Sequence, residues 1–113
     1  MTGTDALVSE YLATAIAWDQ AQKDAKQANP LFERLHVVYK QLREVEPGRN
    51  GIAALMDHSC VGVQLMAASH SLAWAPEKAA AVLNKIAAGP GLHAVTAKYT
   101  LRSFRDGNLK IDW

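Results

Sequence analysis

The sequence predicts an all-α fold, a compact stack of about six antiparallel helices in a single domain spanning 1–113. Three observations carry that expectation. Apolar residues recur along most of the chain at the three-to-four-residue spacing of helices rather than the alternation of strands. Prolines and glycines fall mostly at the ends of these periodic segments. Residues 57–86, DHSCVGVQLMAASHSLAWAPEKAAAVLNKI, read as two short, nearly all-apolar helices meeting at Pro76. Helices with so little polar surface have to be covered on more than one side, which places them inside a stack.

Taken in order, the first helix is expected from Asp5 to about Ala28. Leu7, Tyr11, Trp18, Ala21 and Ala25 form one stripe, with Val8, Leu12, Ala15 and Ile16 beside it. Asn29 then serves as a cap and Pro30 opens a second helix running to about Glu46. Its core stripe is Leu31, Leu35, Val38, Leu42 and Val45. Phe32 and Tyr39 lie about 90 degrees round the wheel from it, and Glu33, His36, Lys40 and Arg43 form the wet face. Pro47-Gly48 ends it, and a short helix with Ile52, Leu55 and Met56 follows.

The helix from about Cys60 to Trp74, capped by Ser59, carries Val63, Met66, Ala67, His70 and Trp74 on one side. Leu65, Ala68 and Leu72 lie on the other, so a neighbour is expected against each. Pro76 at the first position and Glu77 in the first turn open the next helix, whose core face is Ala79, Val82, Leu83 and Ile86. Gly89-Pro90-Gly91 ends it. A shorter last helix is expected from about Thr96 to Arg105, buried through Ala97, Leu101 and Phe104, and the terminal LKIDW is expected as either a short extended tail or a clasp on the stack through Ile111 and Trp113.

A chain of 113 residues can hide roughly two thirds of its unfolded surface without metals or disulfides. Twelve basic and 11 acidic residues leave a net charge of +1, which gives no bulk attraction for a polyanion. Cys60 is the only cysteine, which excludes an internal disulfide and a multi-cysteine metal site and fits a reducing compartment. The N-terminal segment lacks a basic leader, and no stretch reaches the about 18 uncharged apolar residues of a membrane span. A cytoplasmic protein without membrane contact is expected.

The segment ALMDHSCVGVQLMAASHSLAWAPEKAAAVLNKIA resembles a HEAT-type helical repeat: an aspartate turn ahead of Val63, small residues Ala67 and Ala68, Leu72 late in the helix, and Pro76 opening the next. The residue after that valine is commonly arginine in such repeats and is Gln64 here, so the ladder of Asp/Arg contacts between repeats is not supported. From Asp5 to about Lys110 the chain also resembles a small bacterial family of uncharacterised proteins with a HEAT/armadillo-like helical fold, a right-handed α-α superhelix type. That resemblance implies a fold and no residue roles.

The chemistry-bearing residues form no convergent set. His58 and Cys60 sit two apart near a helix start, but no carboxylate is placed by sequence to orient the imidazole, so a packed cysteine beside a turn histidine is the expectation. His36, His58, His70 and His93 lack metal-ligand spacing, and no metal or cofactor is expected. Glu44 and Glu46, like Asp19 and Asp24, do not share a helix face. Neither a phosphate-binding glycine loop nor a nucleophile elbow occurs.

Three features suggest a surface instead. His70 and Trp74 share an apolar stripe and line either the core or a groove. Lys98, Arg102 and Arg105 fall at i, i+4 and i+7, and from Lys85 onward five basic residues face two acidic ones. The expected function is a non-enzymatic protein-interaction module, an adaptor or toxin-neutralising subunit, whose partner is another protein or a second copy of the chain through His70, Trp74, Lys98, Arg102 and Arg105. The alternatives are a nucleic-acid-binding helical module using the basic last helix, and a small enzyme with a site near His70.

Overall fold

The computed structural model describes residues 3–107. In chain order α1 spans Gly3–Gln20, α2 Ala25–Leu42 and α3 Glu46–Ala54. A 3-10 turn follows at Leu55–Asp57, then α4 Val61–Ser71, α5 Pro76–Ala87 and α6 Leu92–Arg105. The described residues form an all-α, six-helix bundle without strands. A radius of gyration of 13.1 Å is what one compact domain of about 100 residues has, about 13 Å.

The first break comes earlier than the apolar spacing predicts. α1 stops at Gln20 rather than near Ala28, and α2 starts at Ala25, where the side chain of Asp24 caps it by accepting from Lys26 N at 3.0 Å. Beyond Ile16 the sequence has no second apolar stripe to hold the helix on the core, so a local cap and the burial of Ala21 and Ala28 decide the turn. Pro30 therefore lies inside α2 instead of opening it. Its missing N–H removes one bond near the start of the helix, to the carbonyl four residues back.

α2 also ends sooner, at Leu42, which leaves Val45 exposed rather than on the core stripe. Pro47 sits at the start of α3, not at a stop, and Gly48 explains the tightness of the turn. A Cβ there would collide with the carbonyl of Leu42, so α3 can approach α2 only because this side chain is absent. Arg49 Nη1 closes the same turn on the carbonyl of Arg43 at 2.7 Å.

α4 holds the centre. Val63, Leu65, Met66, Ala67, Ala68 and Leu72 are all buried, so both predicted stripes are covered. α1 and α3 pack against the helix, as do α5 and α6. Cys60, not Ser59, is its N-cap residue. The turn before it is tied by two bonds that His58 accepts: Cys60 N donates to its Nδ1 at 3.0 Å, and Gln64 Nε2 donates to its carbonyl at 2.5 Å. The first of these satisfies an otherwise orphan N–H at the helix start.

α5 begins at Pro76 as expected. α6 begins a turn earlier than expected, at Leu92, after Gly91 with φ +90°. That is a left-handed backbone that glycine adopts without strain. In this extra turn Leu92 and Val95 are exposed and only the small Ala94 is buried, in line with Ala97 and Leu101, so the apolar signal for it is weak. The expected clasp by Ile111 and Trp113 lies outside the described residues.

Candidate functional site

His70 occupies a stack of rings. Its ring lies parallel to Tyr39 with centroids 3.9 Å apart and edge-on to Tyr11 at 5.6 Å, while Tyr39 also stacks on Trp74 at 6.1 Å and meets His36 at 5.7 Å. Arg43 places its guanidinium 5.1 Å from the Tyr39 centroid. Burial, helped by Tyr39, pushes the Tyr11 hydroxyl well above the ordinary tyrosine range. It stays protonated and donates to His70 Nδ1 at 2.6 Å. Burial lowers the His70 pKa to about 3, with smaller contributions from His36 and Arg43.

His70 is thus a neutral imidazole whose Nδ1 is an acceptor, and Tyr11, not a carboxylate, orients it. His36 and Tyr39, expected on and near the wet face of α2, are both buried because His70 and Trp74 of the α4 side cover that end of α2. Trp74 reaches further out and borders an open hollow with Pro76, Glu77 and Lys78.

Lys98, Arg102 and Arg105 are exposed on α6, and Lys98 with Arg102 frames a shallow depression of about 210 Å³ completed by Val95 and Tyr99. The five residues singled out by sequence therefore divide into two groups: His70 and Trp74 at the ring stack, and the three cations on α6. Large apolar side chains accompany the cations. Leu92 is 67% exposed, Val95 51% and Tyr99 68%, at i, i+3 and i+7 along the helix.

A cavity lies elsewhere, where the end of α1, the start of α4 and the turn between α5 and α6 meet. It measures about 460 Å³. Asp19, in the last turn of α1, is at its heart. A carboxylate there opposes the dipole of its own helix, and two later helix starts supply what it needs. His93 Nε2, in the first turn of α6, lies 2.6 Å from Asp19 Oδ1, a spacing that makes this nitrogen the donor. Cys60 Sγ, at the cap of α4, donates to Asp19 Oδ2 at 3.6 Å. The His93 ring also stacks on Trp18 with centroids 5.6 Å apart.

Gly62 completes the fit, because a Cβ at that position would collide with the Asp19 carboxylate. The order of groups is chemically informative. A thiol nucleophile is activated when an imidazole stands between it and a carboxylate. Here the carboxylate stands between thiol and imidazole, so His93 is not in position to take the Cys60 proton. Among the described residues no group of three or more His, Cys, Asp or Glu side chains could hold a metal ion.

Sequence reasoning did not unite Asp19, Cys60 and His93, since 74 residues separate the ends of the hydrogen-bonded pair. No local signal marked the site, because the helix expected to run to about Ala28 puts Asp19 in mid-helix, and only the stop at Gln20 places it in a last turn.

No helix among the described residues is long and apolar enough to cross a membrane. No curated protein matches the chain. Among solved structures it is similar to the protein RPA1889 from Rhodopseudomonas palustris CGA009, with 25% identity and a TM-score of 0.87 over 97% of this chain and 94% of that one. The domain of unknown function DUF2019 matches residues 5–105, and the chain belongs to that family of small uncharacterised all-α bacterial proteins.

Proposed function

We propose that the chain is a protein-interaction module that presents the outward face of α6 to a protein partner, in the manner of an adaptor or a toxin-neutralising subunit. The observation behind this reading is the apolar row Leu92, Val95 and Tyr99, left exposed on one helix and flanked by Lys98, Arg102 and Arg105. Scattered apolar residues are normal on a surface, but a row rimmed by charge is the composition of an interface, with an aromatic anchor near its centre. The cationic rim favours an acidic, amphipathic partner surface. A HEAT-like stacking of the helices, with α4 inside and α6 at an outer edge, fits this use, as does a reducing cytoplasm for a chain with one thiol.

A binding role is also favoured over catalysis by the two histidine environments. His70 is held neutral by its ring stack without a carboxylate, and His93 is committed to Asp19. The test places a photocrosslinking residue at Tyr99 and, as a control, at Lys40 on α2. A partner trapped from Tyr99 alone is then purified and its affinity measured against Val95→Asp and against Lys98→Glu with Arg102→Glu. Loss of binding by at least about tenfold in both is the expected result. Equal trapping from both positions, or affinity indifferent to both variants, overturns the reading.

The exposed cations favour nucleic acid as the second reading. Titration with DNA and RNA at about 50 mM salt supports it if binding appears and weakens with added salt. It fails if no such binding appears.

A further inference from the structure

We infer that the cleft between α1, α4 and the α5–α6 turn is a binding site for a small monoanionic molecule with an apolar body, a medium-chain or aryl carboxylate in chemistry. Its volume, about 460 Å³, lies within the roughly 300–1,000 Å³ range of small-molecule pockets. Val61, Ile86, Pro90 and Leu92 give it apolar walls, and the backbone of Gly89 and Gly91 forms part of one side.

Four of the six polar side chains on the lining already make hydrogen bonds. The Asp19 carboxylate accepts from His93 and Cys60. Gln22 Nε2 donates to the Trp18 carbonyl at 2.8 Å, and Gln64 Nε2 donates to the His58 carbonyl. Lys23 and Lys85 remain. Both line the cavity, both are exposed, and neither has a carboxylate partner among the described residues.

The free charge of the cleft is therefore positive while its walls are apolar. A cationic ligand would meet two ammonium groups with the one carboxylate already occupied. A polyphosphate would leave most of its charge against apolar walls, at a large desolvation penalty. An anion at one end of an apolar body satisfies both halves of the site. The ammonium groups hold the charge at the wet rim, and the body displaces water from Val61, Ile86 and Leu92.

The test follows backbone amides of the full chain by NMR during titration with sodium octanoate, sodium 2-naphthoate and, with the charge reversed, octylammonium chloride. Saturable shifts confined to Val61, Gly89, Gly91, Leu92 and His93 are expected with at least one carboxylate. Octylammonium is expected to bind about tenfold more weakly or worse, and the double variant Lys23→Gln, Lys85→Gln to lose about tenfold in carboxylate affinity. Both lysines are exposed, so that variant keeps the fold. The inference is overturned if neither carboxylate gives saturable shifts at these amides. It is equally overturned if octylammonium binds as well as the carboxylates. If the carboxylates are silent while a protein partner held by α6 shifts the same amides, the cleft belongs to the partner surface and the small-molecule reading falls.

Discussion

Two histidines mark opposite kinds of site in this molecule. His70 sits in a ring stack with Tyr11 and Tyr39, receives its hydrogen bond from a tyrosine hydroxyl, and is driven neutral by burial. His93 sits at the edge of a cleft, donates to the carboxylate of Asp19, and has two unpartnered lysines as neighbours on the lining. The contrast shows what a polar residue in an apolar stripe means here. At His70 it satisfies a core, whereas at His93 the same side chain closes a polar joint between two helices and leaves a cavity beside it.

Substitutions that break the ring stack should be the most costly. Tyr39→Ala removes a fully buried ring that touches His36, His70 and Trp74, and is expected to cost about 3–5 kcal/mol in urea unfolding.

Acid sharpens the same contrast. The folded-state pKa of His70, about 3, lies below its unfolded value near 6.5, so the unfolded chain binds the extra proton. The contribution is whole above about pH 6.5 and is lost as pH falls from there towards 3, at roughly 1.4 kcal/mol per unit. Between pH 6.5 and 4.5 the protein is expected to lose about 2–3 kcal/mol more than a His70→Asn variant does. Parallel stability curves for the two would remove His70 from the account.

Tyr11→Phe is a smaller perturbation of the same site. It deletes the hydroxyl donor and leaves His70 Nδ1 without a partner, for an expected loss of about 1–3 kcal/mol and, since that donor favours the neutral imidazole, a shallower loss of stability in acid than the parent shows.

At the cleft, Asp19→Asn retains shape but weakens the bonds to His93 and Cys60. The pair is only partly buried, so about 1–2 kcal/mol is expected, less than at the ring stack. Gly62→Ala, which drives a methyl group against Asp19, should shift the His93 ring resonances even where it leaves most of the bundle unchanged.

On α6, Tyr99→Ala and Val95→Asp are expected to stay within about 0.5 kcal/mol of the parent in thermal unfolding while reducing partner capture. A large stability loss there would mean that the row is structural. The bridge of Arg34 to Glu10 at 2.6 Å, exposed on both sides, should contribute no more than about 1 kcal/mol.

The legible part of this protein was set by periodicity. Both stripes of α4, the start of α5 at Pro76, and the buried Tyr11, Leu35, Val38 and Leu42 follow directly from spacing, because burial of apolar area is local in pattern and large in energy. Where expectation and structure part, the deciding interaction is either a cap or an exposed face. Asp24 overrode Pro30 as the start of α2, since its side chain accepts from Lys26 N and so satisfies one of the unpaired N–H groups of the new helix. The first turn of α6 was weakly marked because its one buried residue is the small Ala94 while Leu92 and Val95 face outward, which is also what makes them candidates for a partner.

The sequence by itself determined an all-α fold, its central apolar helix, several of the helix-breaking points and the basic character of the last helix. The tertiary structure alone decided which polar groups meet. It joined Tyr11 to His70 across 59 positions and His93 to Asp19 across 74, and set Cys60 on the far side of that carboxylate. The reason is physical. Apolar burial depends on how many neighbours surround a residue and tolerates many arrangements, whereas a hydrogen bond depends on one partner within about 3 Å, and no one-dimensional spacing encodes where two helix ends cross.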